Sequence, residues 1–182
     1  MNCWKTVNID KDFGLNRIYL ISFLTGLLSF LMLYIPYSIF HGAHDVKDHG
    51  FLPLVVILFF LPILHRMMHL LPLILTYKKV KVKWKFKRRL YPTFHYRCHS
   101  KLSKRTSILM ALAPTLFITL PSLSMGYVFP NYFAYFVLFA SVNIGLSFPD
   151  FLYINHFMRA PKQCIIENAK DGYDILIQRK NA

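Results

Sequence analysis

The chain has 182 residues, is 55% hydrophobic and 16% aromatic, and carries a formal charge of +14 at a mean hydropathy of +0.37. So much apolar sequence excludes an ordinary soluble domain and indicates a small integral membrane protein. The positive charge does not indicate nucleic acid, because most of it falls in one loop between apolar segments.

Residues 1–17 read as a short polar head. Four segments follow that exceed the ~20 residues a helix needs to cross a bilayer: 18–40, 51–77, 108–129 and 132–154. No small-residue cleavage site ends the first, so it is expected to stay as an anchor. The expected fold is a single all-α membrane domain over 1–182, with four transmembrane helices and a small cytoplasmic β element.

The loop after the first helix holds His41, His44, Asp45, Asp48 and His49, a weak cation-site pattern of the kind that polar loops often carry. The loop over 78–107 is different. Lys78, Lys79, Lys81, Lys83, Lys85, Lys87, Arg88, Arg89, Arg97, Lys101, Lys104 and Arg105 all lie within it. Positive residues favour the cytoplasmic side, which places this loop, the tail over 155–182 and both termini in the cytoplasm, with the chain in the cell membrane. Cys3, Cys98 and Cys164 then share the reducing side and lack zinc-finger spacing. His95 and His99 flank Cys98 on a loop whose charge repels cations.

Within the basic loop, Val80, Val82, Trp84 and Phe86 alternate with Lys79, Lys81, Lys83, Lys85 and Lys87, ahead of Arg88 and Arg89. Period two with β-branched and aromatic residues predicts a strand, with 91–98 as its hairpin partner. Its cations are expected to meet anionic lipid headgroups or a membrane-protein partner. In the tail, 164–167 and 173–178 read as two strands around Lys170-Asp171-Gly172. Glu167 and Asp174 would bring them to the lysine strand.

The chemistry concentrates in His65-Arg66-Met67-Met68-His69, inside the second apolar segment. Residues four apart share one helix face. H-E-x-x-H metalloproteases present two zinc ligands in this way, with the Glu as general base. Here Arg66 takes the Glu position. Of the eight acidic residues, Asp150 alone falls in a spanning segment, where ionisable groups usually mark a paired or functional site. Asn143, Ser147 and Asp150 recur at helical spacing and form one stripe facing the bundle interior. Pro149 should kink the turn before Asp150. At 1.5 Å per residue, His65 and His69 lie about 18 and 12 Å from the cytoplasmic end, and Asp150 about 6–9 Å from it, so all three share one half of the bilayer.

His65 and His69, Ala113-Pro114-Thr115, Asn143 through Phe148-Pro149-Asp150, Ala160-Pro161-Lys162, Ile166-Glu167 and Gly172-Tyr173-Asp174-Ile175-Leu176 occur in an order that resembles a family of small bacterial membrane proteins described as zincin peptidases of unknown function. That family is similar in turn to site-2 intramembrane metalloproteases. The resemblance implies His65, His69 and Asp150 as zinc ligands and maps the catalytic Glu onto Arg66. A guanidinium stays protonated and cannot act as a base. At ~6 Å and an effective dielectric of ~20 it would repel Zn²⁺ by about 5 kcal/mol. The expected arrangement is therefore an Arg66–Asp150 ion pair with the histidines beside it and the zinc position vacant, with a zinc-binding but catalytically idle site as the next reading. The function expected from it is that of a catalytically degenerate peptidase with a binding or regulatory role. An active zinc-dependent intramembrane protease and a lipid-interacting protein without enzymatic activity are the alternatives.

Overall fold

Long apolar runs become helices, and prolines decide where those helices break. The computed structural model describes residues 2–41, 50–75, 81–85, 93–97, 102–169 and 172–177. His44, Asp45, Asp48 and His49 of the first loop, and Lys79, Lys87, Arg88, Arg89, Cys98 and His99 of the basic loop, lie outside these residues.

Helix α1 (Leu15–His41) continues a π-helical turn over Asp10–Gly14. It is apolar on every side, with Tyr19, Phe23, Met32 and Ile39 exposed. Helix α2 (Phe51–Met68) is followed by the single turn of α3 (Leu71–Leu75). Pro72 has no N–H to give the carbonyl four residues back, which is Met68, and α2 ends there. Helix α4 (Lys104–Pro114) starts where the Ser103 hydroxyl accepts from the Thr106 N–H at 3.3 Å. It runs through a π-helical turn over Thr115–Thr119 into α5 (Leu120–Val128). Helices α6 (Phe133–Leu146) and α7 (Phe148–Arg159) meet at Ser147 with a 48° bend. Pro149 sits just inside α7, where its missing N–H is harmless. The expected fourth helix over 132–154 is thus two, and the kink expected at Pro149 is found.

Among the described residues, three helical stretches are long and apolar enough to cross a membrane: Asp10–Ile39, Leu54–Leu75 and Lys104–Val128. The bent pair α6–α7 makes a fourth if it is counted as one span.

Helices α1 and α6 touch through backbone at Gly26 and Gly145. A Cβ built on Gly145 would lie 2.7 Å from the Ser22 carbonyl oxygen and 3.1 Å from the Gly26 Cα. Small residues at such a crossing let the helices approach closely. Gly145→Val should therefore destabilise the protein by about 3 kcal/mol, the upper end of ordinary overpacking. Thermal unfolding in detergent would show this as a lowered midpoint; an unchanged midpoint would mean that the two helices do not meet there.

The remaining strands make a four-stranded antiparallel sheet of order β1-β6-β5-β4, from β1 (Asn2–Val7), β4 (Leu102–Ser103), β5 (Cys164–Ala169) and β6 (Gly172–Ile177). The protein is thus mostly helical with a small antiparallel sheet. Two expectations are corrected here. Residues 1–17 are not merely a polar head, since they supply β1 and the start of the first helix. The tail strands pair with β1 and β4 and not with the lysine strand. Apolar burial decides this pairing over charge: Val7, Ile9 and Ile18 pack with Phe157, Cys164, Ile166 and Ile175 in one core. The expected lysine hairpin does form, with β2 (Lys81–Lys85) antiparallel to β3 (Thr93–Arg97), but as a separate two-stranded ribbon.

Candidate metal centre

His65 lies in the last turn of α2 and His69 follows as its C-cap; both are buried, and their rings meet edge to face at 5.1 Å. Asp150 sits in the first turn of α7, where the positive end of the helix dipole favours a carboxylate. The bend at Ser147 turns that carboxylate toward the two imidazoles. His65 Nε2 lies 3.2 Å from Asp150 Oδ2, and His69 Nε2 lies 3.5 Å from Asp150 Oδ1. One ligand atom from each residue falls within 4.8 Å of the others, and no other group of this kind occurs among the described residues.

Hydrogen bonds on the far side of each ring fix which nitrogen carries the proton. Asn143 is fully buried, and its Nδ2 donates to the Pro114 carbonyl at 3.1 Å and to Thr119 Oγ1 at 2.9 Å. A carbonyl only accepts, so the amide is oriented with Oδ1 toward His65. His65 Nδ1 lies 2.9 Å from that oxygen and must be the donor. His69 Nδ1 likewise donates to the Met110 carbonyl at 2.9 Å. In the neutral rings both Nε2 atoms are therefore bare lone pairs, and both face a carboxylate.

Three electron-rich atoms do not converge in a buried space without a cation between them or protons on them. Asp150 Oδ2 makes no hydrogen bond among the described residues, although His65 Nε2 is close by. Two imidazoles and a carboxylate, each ring anchored through its second nitrogen, make a donor set and outer support that could hold zinc. The residues fit the metal that the motif implies.

One proline, Pro114, and the π turn beside it build this support. Met110 lies four residues before Pro114, so its carbonyl has no helical N–H to accept and remains free for His69. The Pro114 carbonyl, at the start of the π turn over Thr115–Thr119, accepts from Asn143 Nδ2. Ser147, also fully buried, donates to the Asn143 carbonyl at 2.9 Å. Lys104 ties α4 to the end of α7, donating to the carbonyls of Met158 at 2.8 Å and Ala160 at 2.6 Å. The helix that holds Met110 and the helix that holds Asp150 are thereby fixed against each other.

The expected Arg66–Asp150 ion pair is absent. Arg66 is exposed, and both oxygens of Asp150 face histidines. One helical step is 100°, enough to carry the Arg66 side chain off the face that His65 and His69 share. The guanidinium therefore stands outside the pocket that the three residues form. The expected stripe of Asn143, Ser147 and Asp150 does face the interior, with Ser147 supporting Asn143. Met110, Pro114 and Thr119 were missed as supporting residues, although a proline four residues after a would-be acceptor was readable. Lys81, Lys83, Lys85 and His95 belong to the ribbon.

A family model described as "Putative zincin peptidase" matches residues 58–165, from within α2 to the start of β5, and so includes His65, His69 and Asp150. No curated protein and no solved structure matches the chain.

Proposed function

This chain belongs to the zincin peptidase family, and we propose that it is a membrane-embedded member that holds zinc on His65, His69 and Asp150 but no longer turns over peptides. One observation carries the metal reading: both Nε2 lone pairs are locked toward a carboxylate whose Oδ2 has no hydrogen bond. Bound there, zinc would supply Lewis acidity and lower the pKa of a coordinated water. Hydrolysis also needs a base to take that water's proton. Asp150 is used as a ligand, position 66 offers an arginine turned outward, and the sequence from 76 to 101 contains no carboxylate. The role left for such a chain is binding, with the metal cross-linking α2 to α7 and holding the bundle in one shape for a membrane-protein partner.

The membrane topology has support of its own. Strand β1 near the amino end pairs directly with β6 near the carboxyl end, so both lie on one side and the chain crosses an even number of times. Counting α6–α7 as one span gives four crossings, with the loop over 78–107, the sheet and both termini in the cytoplasm.

Purified in mild detergent after expression with zinc, the wild-type chain should carry one zinc and cleave no peptide from a library of transmembrane substrates. Absence of zinc would overturn the metal reading. Zinc-dependent cleavage by the wild-type chain would overturn the loss of turnover and make it an intramembrane protease.

A further inference from the structure

We propose that the β2–β3 ribbon is an interfacial foot that lies in an anionic headgroup layer beside the helix bundle. The register sets Lys81 and Lys83 opposite Arg97 and His95, and Val82 and Trp84 opposite Tyr96 and Phe94. Successive positions on a strand belong to opposite faces, and directly paired positions to the same one. The ribbon therefore segregates its residues into one cationic row and one aromatic and aliphatic row.

A two-stranded ribbon in water is marginally stable at best. Among the described residues this one pairs with no strand of the four-stranded sheet, so another surface must support it. Covalent reach limits which surface that can be. Leu73 of α3 packs with Leu102 of β4, so the loop leaves and returns at one end of the bundle. The tethers over 75–81 and 97–102 carry the ribbon no more than ~20 Å from those helix ends, even when fully extended. That range includes the headgroup zone, about 5–7 Å deep on each side of the hydrocarbon. An element with aromatic residues on one face and Lys or Arg on the other settles at that boundary, and anionic lipid strengthens its hold. The sequence from 76 to 101 holds no Asp or Glu to oppose this. The proposal rests on the membrane reading and is independent of the metal.

Trp84 reports the contact. Trp4 is the other tryptophan and is exposed on β1, so Trp4→Phe leaves Trp84 alone. The full-length variant would be reconstituted into phosphatidylcholine bilayers with and without phosphatidylglycerol, each with lipid spin-labelled near the glycerol backbone. Trp84 emission should shift to shorter wavelength and be quenched when the anionic lipid is present. Lys81→Gln, Lys83→Gln and Lys85→Gln together should abolish most of that difference, and arginine at the same three positions should keep it. Salt at 1 M, where the screening length is ~3 Å, should reverse it. Equal emission in both bilayers, or quenching unaffected by loss of the lysines, would overturn the proposal. A response to single-stranded RNA in neutral bilayers, without one to anionic lipid, would overturn it in favour of nucleic acid. Successful insertion with no lipid response would defeat this proposal alone, whereas failure to insert would defeat the membrane reading beneath it.

Discussion

Asp150→Asn is expected to lower zinc affinity by more than ~100-fold, beyond the 10–100-fold typical of losing a supporting hydrogen bond to a metal ligand. The variant should nevertheless fold. The carboxamide has almost the shape of the carboxylate, and its Nδ2 can donate to one of the two Nε2 lone pairs, which lie 3.2 and 3.5 Å from the carboxylate oxygens. Without metal, the wild-type chain gathers three acceptors with nothing between them, and the variant replaces one of them with a donor. Metal-free Asp150→Asn should therefore unfold at the same temperature as the metal-free wild type or higher. Adding zinc at about 100 times its dissociation constant should stabilise the wild type by ~2.7 kcal/mol and leave the variant unchanged. An equal zinc-induced shift in both would remove Asp150 from the ligand set. A variant that fails to fold would show that the carboxylate serves the fold and not the metal.

Asn143 should divide structure from metal binding in another way. Its side chain accepts from His65 and donates to Pro114 and Thr119. Asn143→Ala strands a buried donor and two buried acceptors, at ~1–3 kcal/mol for each group left unpaired. It also frees the His65 ring to rotate, which should weaken zinc by 10–100-fold. Asn143→Asp keeps an acceptor for His65 and loses only the donor toward Pro114 and Thr119. It should therefore bind zinc nearly as well as the wild type while remaining less stable. Calorimetric zinc titration read beside thermal unfolding would separate the two effects. Parallel loss of affinity and stability in both variants would mean that Asn143 only fills the core.

What was legible in the sequence followed from local rules. Spacing four on an apolar helix put His65 and His69 on one face, and a lone acid in a spanning segment singled out Asp150. Pro149 announced the bend before Asp150, and the period-two lysine stretch announced β2. The direction of Arg66 was not legible, because one residue of helix phase separates the bundle interior from its surface and no local rule sets that phase. Strand β1 was hidden for another reason. Its pairing slips between Cys3 and Lys5, which breaks the alternation that reveals a strand. Its partner β6 lies at the opposite end of the chain, so nothing nearby in sequence marks the pair. The use of the Met110 and Pro114 carbonyls is tertiary: Pro114 predicts a freed acceptor, and only the fold shows which side chain takes it.

The most direct measurement is zinc-edge X-ray absorption on the purified, zinc-loaded chain. Two imidazole nitrogens at about 2.0–2.1 Å and one carboxylate oxygen at about 2.0–2.2 Å, with one of the two nitrogens lost in His65→Ala, are the expected first shell. Zinc held through cysteine sulfur, or a first shell unchanged by removing His65, would contradict the account.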